Sequence, residues 1–276
     1  MNQWIFKKLA YLKTNYRVVI LKLFLLISGM FLMALGIRLY IPTQIGASQV
    51  DFSIYTMIGL KSGTTGIFEN NNQVLEQYYA NFLTYFYIGL TFIAAIFSTI
   101  STIKEFKSTK DKTIWINYTF KILFDVIITF LLPQIVNLFN DLISSNSILN
   151  LLRDDFSGQN SPGKAAWFFL LAYIIYIVGI CLWVKSTWAL GPYNSICSEF
   201  VRLTKIKYGA SRFICDILMI LPGVLFFGLI TNGDKLSFFF TNFSIATMVF
   251  LFLTGPICNT LIKRLDKVLD YNKLTK

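Results

Sequence analysis

The chain contains no histidine, which removes the side chain most often used as a general base near neutral pH and as a metal ligand. Charge is scarce as well: Asp, Glu, Lys and Arg make up 14% of 276 residues, against about a quarter in a typical soluble domain. Cysteine is limited to Cys181, Cys197, Cys215 and Cys258, in or beside apolar runs. Their spacing fits neither a disulfide framework nor a zinc site, so they read as packing residues. Also missing are a Walker loop, a dinucleotide-binding glycine pattern after a strand, and a nucleophile elbow. Together these gaps argue against an enzyme, and no catalytic residue, metal or cofactor is expected.

What the chain does have is apolar surface. Apolar residues make up 55% of it, with 27 Phe and 14 Tyr, a composition suited to helices that face lipid along their sides and headgroups at their ends. A spanning helix needs about 20 mostly apolar residues. Six stretches qualify: Val18 to Tyr40, Tyr78 to Ile103, Ile114 to Phe139, Ala166 to Trp188, Ala210 to Ile230 and Leu236 to Ile262. The first follows Lys7, Lys8, Lys13 and Arg17 but is too long for a signal peptide and lacks a small-residue cleavage site, so it reads as a retained anchor.

Basic residues of short loops stay on the cytoplasmic side. They fall before span one, between spans two and three (Lys104, Lys107, Lys110, Lys112), between four and five (Arg202, Lys205, Lys207) and after span six (Lys263, Arg264, Lys267, Lys273, Lys276). The opposite loops hold only Lys61, Arg153, Lys164 and Lys235. This pattern predicts a multi-pass protein of the cell membrane with both termini cytoplasmic. The net charge of +11 then follows from topology and attraction to anionic lipid, with no call for nucleic acid. The expected organisation is a basic cytoplasmic N-terminus over 1–17, a three-span repeat over 18–139, an outer polar loop over 140–165, a second three-span repeat over 166–262 and a basic cytoplasmic tail over 263–276. Two outer loops, Ile67 to Gln77 and Asn140 to Lys164, are rich in Asn and Ser and read as solvated connectors.

The two halves resemble each other. Span one ends Gly36-Ile37-Arg38-Leu39-Tyr40 and leads to Ile45-Gly46; span four runs Gly179-Ile180-Cys181-Leu182-Trp183 and leads to Leu190-Gly191-Pro192. After each turn comes a piece too short or too polar for a plain span, Ser48 to Lys61 and Tyr193 to Val201. Such pieces suit re-entrant or interfacial helices. Thr113 to Asp125 also lies alongside Thr247 to Asn259. Three spans per half, with the N-terminus inside, give two inverted repeats, an arrangement found in secondary transporters.

Ionisable residues within spans are expensive and seldom lack a partner or a use. Lys22, Arg38 and Lys185 are expected to snorkel toward span ends. Lys121 with Asp125, and Arg212 with Asp216, are four apart and share a helix face. One reading makes each a structural ion pair. The other has Asp125 and Asp216 facing a central cavity to meet a cation, proton or polar substrate, with Lys121 and Arg212 setting their charge. Asp51, Asn194 and Asn259 complete the binding candidates. Gly255-Pro256, Pro222-Gly223 and Pro133 are expected to kink their spans, and Gly29 and Gly36, seven apart, to allow close helix contact.

Gly36, Gly46-Ala47-Ser48, Asp51 and Gly63-Thr64 in the first half, with Leu190-Gly191-Pro192, Tyr208-Gly209-Ala210-Ser211-Arg212, Asp216, Ser244-Ile245-Ala246-Thr247 and Gly255-Pro256 in the second, resemble the bacterial YczE/YitT-like membrane proteins. The resemblance runs from span one to span six. Gln49 and Val50 depart from it, standing where the family turn often has Pro and an aromatic. It implies a polytopic membrane protein with a transport or regulatory role and names no substrate. The function expected is therefore a secondary carrier or facilitator of a small solute. The alternatives are a membrane subunit driven by separate ATPase subunits, and a non-transporting regulatory or scaffold protein. Besides the bilayer and the unidentified solute, a second copy of the chain or another membrane protein is left open as a partner.

Overall fold

The structure, a computed structural model, describes residues 15–65, 73–147, 149, 151, 155, 161–187, 190–269 and 271. The N-terminal segment up to residue 14, residues 67–72 of the first polar loop, parts of the loop at 140–165, Trp188 and the end of the tail lie outside the described residues. Named helices among the described residues are α1 (Tyr16–Tyr40), α2 (Gln49–Ser62), α3 (Gln73–Thr109), α4 (Thr113–Ser145), α5 (Pro162–Ser186), α6 (Gly191–Thr204), α7 (Tyr208–Leu229), α8 (Lys235–Asn242) and α9 (Ile245–Val268), with a short 3-10 turn at Ile41–Thr43.

Among the described residues, six segments are long and apolar enough to cross a membrane: Tyr16–Thr43, Gln77–Thr109, Thr113–Ser145, Pro162–Ser186, Tyr208–Leu229 and Lys235–Val268. Their outer faces expose large apolar side chains such as Phe92, Trp167 and Leu225, a surface that lipid tails accept and water does not. The chain is thus an all-α, multi-pass membrane protein. Several helices overrun the expected spans: α4 continues past Phe139 to Ser145, and α5 begins at Pro162 inside the expected outer loop.

At the centre, α1 and α5 make the most extensive packing in the fold. A Cβ on Gly29 would stand 2.5 Å from the Trp183 backbone nitrogen, and one on Gly36 2.7 Å from Tyr176 Cβ. Only a hydrogen fits at these crossings, so the two backbones touch directly. Around this pair the packing of the halves matches in part: α1 on α4 matches α5 on α9, α2 on α7 resembles α6 on α3, and α2 on α3 matches α6 on α7, whereas α3 packs on α4 far more than α7 on α9, and α4 on α6 far more than α9 on α2.

Helices α2 and α6 have 14 residues each, short of the roughly 20 needed to span. α2 runs parallel to α7, with the Ser53 hydroxyl donating to the Met219 carbonyl (2.6 Å) and, just past the helix, the Thr65 N–H donating to the Asn232 carbonyl (3.1 Å). α6 runs parallel to α3: its first turn lies beside Tyr87, and Arg202 near its end pairs with Glu105.

The sixth span is two helices, not the single one expected. It breaks at Phe243 and Ser244, where the backbone is extended at Ser244 (φ −128°, ψ −159°). The break exposes groups that hold the turn before α2: Ala47 N–H donates to the Asn242 carbonyl (2.9 Å), and the Thr247 hydroxyl donates to the Ala47 carbonyl (2.8 Å). Gly255 and Pro256 are not the break, because α9 runs through them. A proline removes one backbone bond while the flanking turns keep theirs, and in lipid those groups have no other partner. α4 and α7 likewise continue through Pro133 and Pro222.

Candidate functional site

Ser48 starts α2 as its N-cap. Its hydroxyl accepts the Asp51 N–H (3.2 Å) and donates to the Asp51 carboxylate, whose other oxygen accepts from the Tyr79 hydroxyl of α3. An acid in the first turn also complements the positive end of the helix dipole. α6 has no acidic residue in its own first turn. Asp125 of α4 supplies one: the Ser195 hydroxyl donates to its Oδ1 (3.0 Å), and the Gly191 N–H is directed at the same carboxylate. The turns leading into both helices use positive φ at glycine, +138° at Gly46 and +71° at Gly191, a region other residues enter only with strain. Pro192 sits in the first turn of α6, where its missing N–H costs nothing.

On α7, Arg212 and Asp216 lie one turn apart with Nε and Oδ2 at 3.9 Å, both buried. Tyr193 of α6 donates its hydroxyl to Asp216, and its ring centre lies 5.3 Å from the Arg212 guanidinium carbon, within cation-π range. Arg212 Nη1 donates to Asn194 Oδ1 (3.5 Å). Each half thus joins a short helix to the next span through a carboxylate and a phenol, with the acid on the short helix in one half (Asp51 and Tyr79) and on the span in the other (Tyr193 and Asp216).

Between the two N-termini lies a narrow cavity whose wall is part polar, from Gln49 and Asp51, Tyr79 and Tyr87, and Arg212 and Asp216, and part apolar, from Met33, Ile37, Leu83 and Phe250. A smaller cavity adjoins it, sharing Tyr87, Tyr176, Tyr193 and Arg212 and reaching Gly191 and Asn194. About 30 Å³ of the larger cavity is open to the centre of a water-sized sphere, room for about two waters. Among the described residues, no group of three or more Cys, Asp or Glu is placed to hold a metal ion.

Of the binding candidates, Asp51, Arg212 and Asp216 face this cavity together and Asn194 adjoins it. Lys121 and Asp125 do not pair. Lys121 donates to Glu199 (2.5 Å) at the end of the bundle where Arg202 and Glu105 also meet, while Asp125 lies deeper, is used by α6, and is not on the cavity wall. Asn259 is exposed, whereas Asp125 is buried, so the alignment of the two stretches beginning at Thr113 and Thr247 does not put equivalent residues in equivalent places. Arg38 and Lys185 do not snorkel: both are buried, with Arg38 bonded to Asn140 and Lys185 paired with Asp266 (2.5 Å). Sequence reasoning missed Gln49, Tyr79, Tyr193 and Glu199. The available signal was tyrosine in place of phenylalanine at membrane depth, since a buried hydroxyl needs a partner.

No curated protein and no solved structure matches the chain. A family model described as a family of unknown function, DUF6198, matches residues 20–263, which takes in α2, α6 and every residue of the cavity wall. The chain belongs to that family.

Proposed function

We propose that the protein is a secondary carrier or facilitator passing a small solute through the cavity at which α2 and α6 begin. The observation that carries this reading is the meeting of two half-helices, N-terminus toward N-terminus, at one cavity that holds Asp51, Arg212 and Asp216 inside a lipid-facing bundle. A helix that begins partway through a bilayer has N–H groups that protein or ligand must satisfy. Transporters built from inverted halves use such ends to hold substrate near the midplane. The partly matched packing of the two halves supports reading them as inverted repeats. Lys104, Lys107, Arg202 and Lys205 flank one end of the bundle, and by the positive-inside rule that end is cytoplasmic, with both termini on the same side. The resemblance to YczE/YitT-like proteins agrees with this reading and adds no solute to it.

The test is access. In a variant lacking the four native cysteines, Val50→Cys and Asn194→Cys are each treated with a membrane-impermeant thiol reagent applied to one face of oriented vesicles, then to the other. A carrier or facilitator exposes both positions to both faces over time. Reaction from one face alone, or from neither, overturns the proposal.

A further inference from the structure

The cavity has donors to spare. Arg212 is 3% exposed and its Nε has no hydrogen-bond partner among the described residues; the nearest carboxylate oxygen is 3.9 Å away. Gln49 is 5% exposed and its side-chain nitrogen also lacks a partner. Both residues line the same space, and leaving such groups unpaired away from water is costly. The acids around them are already engaged: Asp51 accepts from Ser48 and Tyr79, and Asp216 from Tyr193. First-turn residues of both short helices, Gln49 and Tyr193, line the same cavity; Asp51 and Asp125 already complement part of the positive ends there, and the orphan donors add to what remains.

We infer that this cavity binds a small monovalent anion, held by Arg212 and Gln49 between the N-termini of α2 and α6. The free donors call for an acceptor, which water or an anion supplies and a metal cation or ammonium does not; a fixed anion, unlike water, also balances the Arg212 charge. Space for about two water-sized groups limits the ligand to the size of a halide, nitrate or formate. The phenol rings of Tyr87 and Tyr176 form the walls and suit a weakly hydrated ion more than a strongly hydrated one. Arg212 reaches such a ligand with its position already fixed by Tyr193 and Asn194, so little ordering is left for binding to accomplish.

The inference deepens the carrier reading by naming its substrate class, and it is tested by binding so that the two fail separately. Full-length protein in nanodiscs is titrated calorimetrically with sodium chloride, nitrate and formate at constant sodium, and with urea as a neutral comparator of similar size. Saturable binding of at least one anion and none of urea is expected. Arg212→Gln and Gln49→Leu should each weaken that binding at least ten-fold, with Arg212→Lys weakening it less than Arg212→Gln. Thermal unfolding of each variant shows that it is folded, and Gln49→Leu serves if Arg212→Gln is not. No anion binding, equal binding of urea, or unchanged affinity in folded variants overturns the anion site. Binding without flux of the same anion into proteoliposomes leaves the site standing and counts against the carrier.

Discussion

Asp51 looks, from its place on the cavity wall, like a binding group, yet its geometry is that of a helix cap. Its N–H and one carboxylate oxygen both engage Ser48, and its other oxygen takes the Tyr79 hydroxyl. Ser48→Ala should therefore lower stability by about 1 kcal/mol, the usual cost of a lost N-cap, and more if the carboxylate loses its second donor. Thermal unfolding in detergent checks this, and an unchanged midpoint would show that the cap does not contribute. Asp125 plays a comparable part for α6 from a different helix, which spacing along one chain could not reveal. The same limit explains Lys121. A neighbour four residues away could be read from the sequence, but its actual partner, Glu199, belongs to a helix far along the chain. Arg212 and Asp216 were legible because they are local to α7; Tyr79 and Tyr193 were not, because their partners are brought to them by the fold.

At the scale of elements, the short helices were visible as stretches too polar and too brief to span. The break between α8 and α9 was not, although Thr241, Asn242 and Ser244 put polar side chains where it falls; the contacts that hold it, with Ile45 and Ala47, come from far along the chain. Close packing at one face of α1 was visible in the spacing of Gly29 and Gly36, but not that α5 is the partner. It yields a comparison of opposite sign between two glycines. Gly29→Ala puts a methyl 2.5 Å from the Trp183 backbone nitrogen and should destabilise by about 1–3 kcal/mol, the usual range for overpacking. Gly89→Ala on α3 meets nothing within 4 Å and should be neutral or stabilising by up to about 1 kcal/mol, because alanine favours the helix. Equal shifts in the two unfolding midpoints would mean that backbone contact at the α1–α5 crossing does not limit stability.

For the whole molecule, hydropathy was enough to reveal six membrane segments, because the bilayer imposes a length and a composition that few other folds share. The relation between the halves needs a direct test, since the sequence repeats only in short stretches and the packing of the two halves matches in part. The N-terminal ends of α2 and α6 cannot report on that relation, because both open on one shared cavity. Their far ends can. Ser62 and Thr204, at the C-terminal ends of α2 and α6, are both exposed. α2 runs parallel to α7 and α6 parallel to α3, and spans two and five of an alternating bundle cross in opposite directions. Ser62→Cys should therefore react with an impermeant thiol reagent only from outside the cell, and Thr204→Cys only from the cytoplasmic face. Labelling of both from one face would mean that the half-helices point the same way, and the inverted-repeat reading would fall even if the cavity itself binds a ligand.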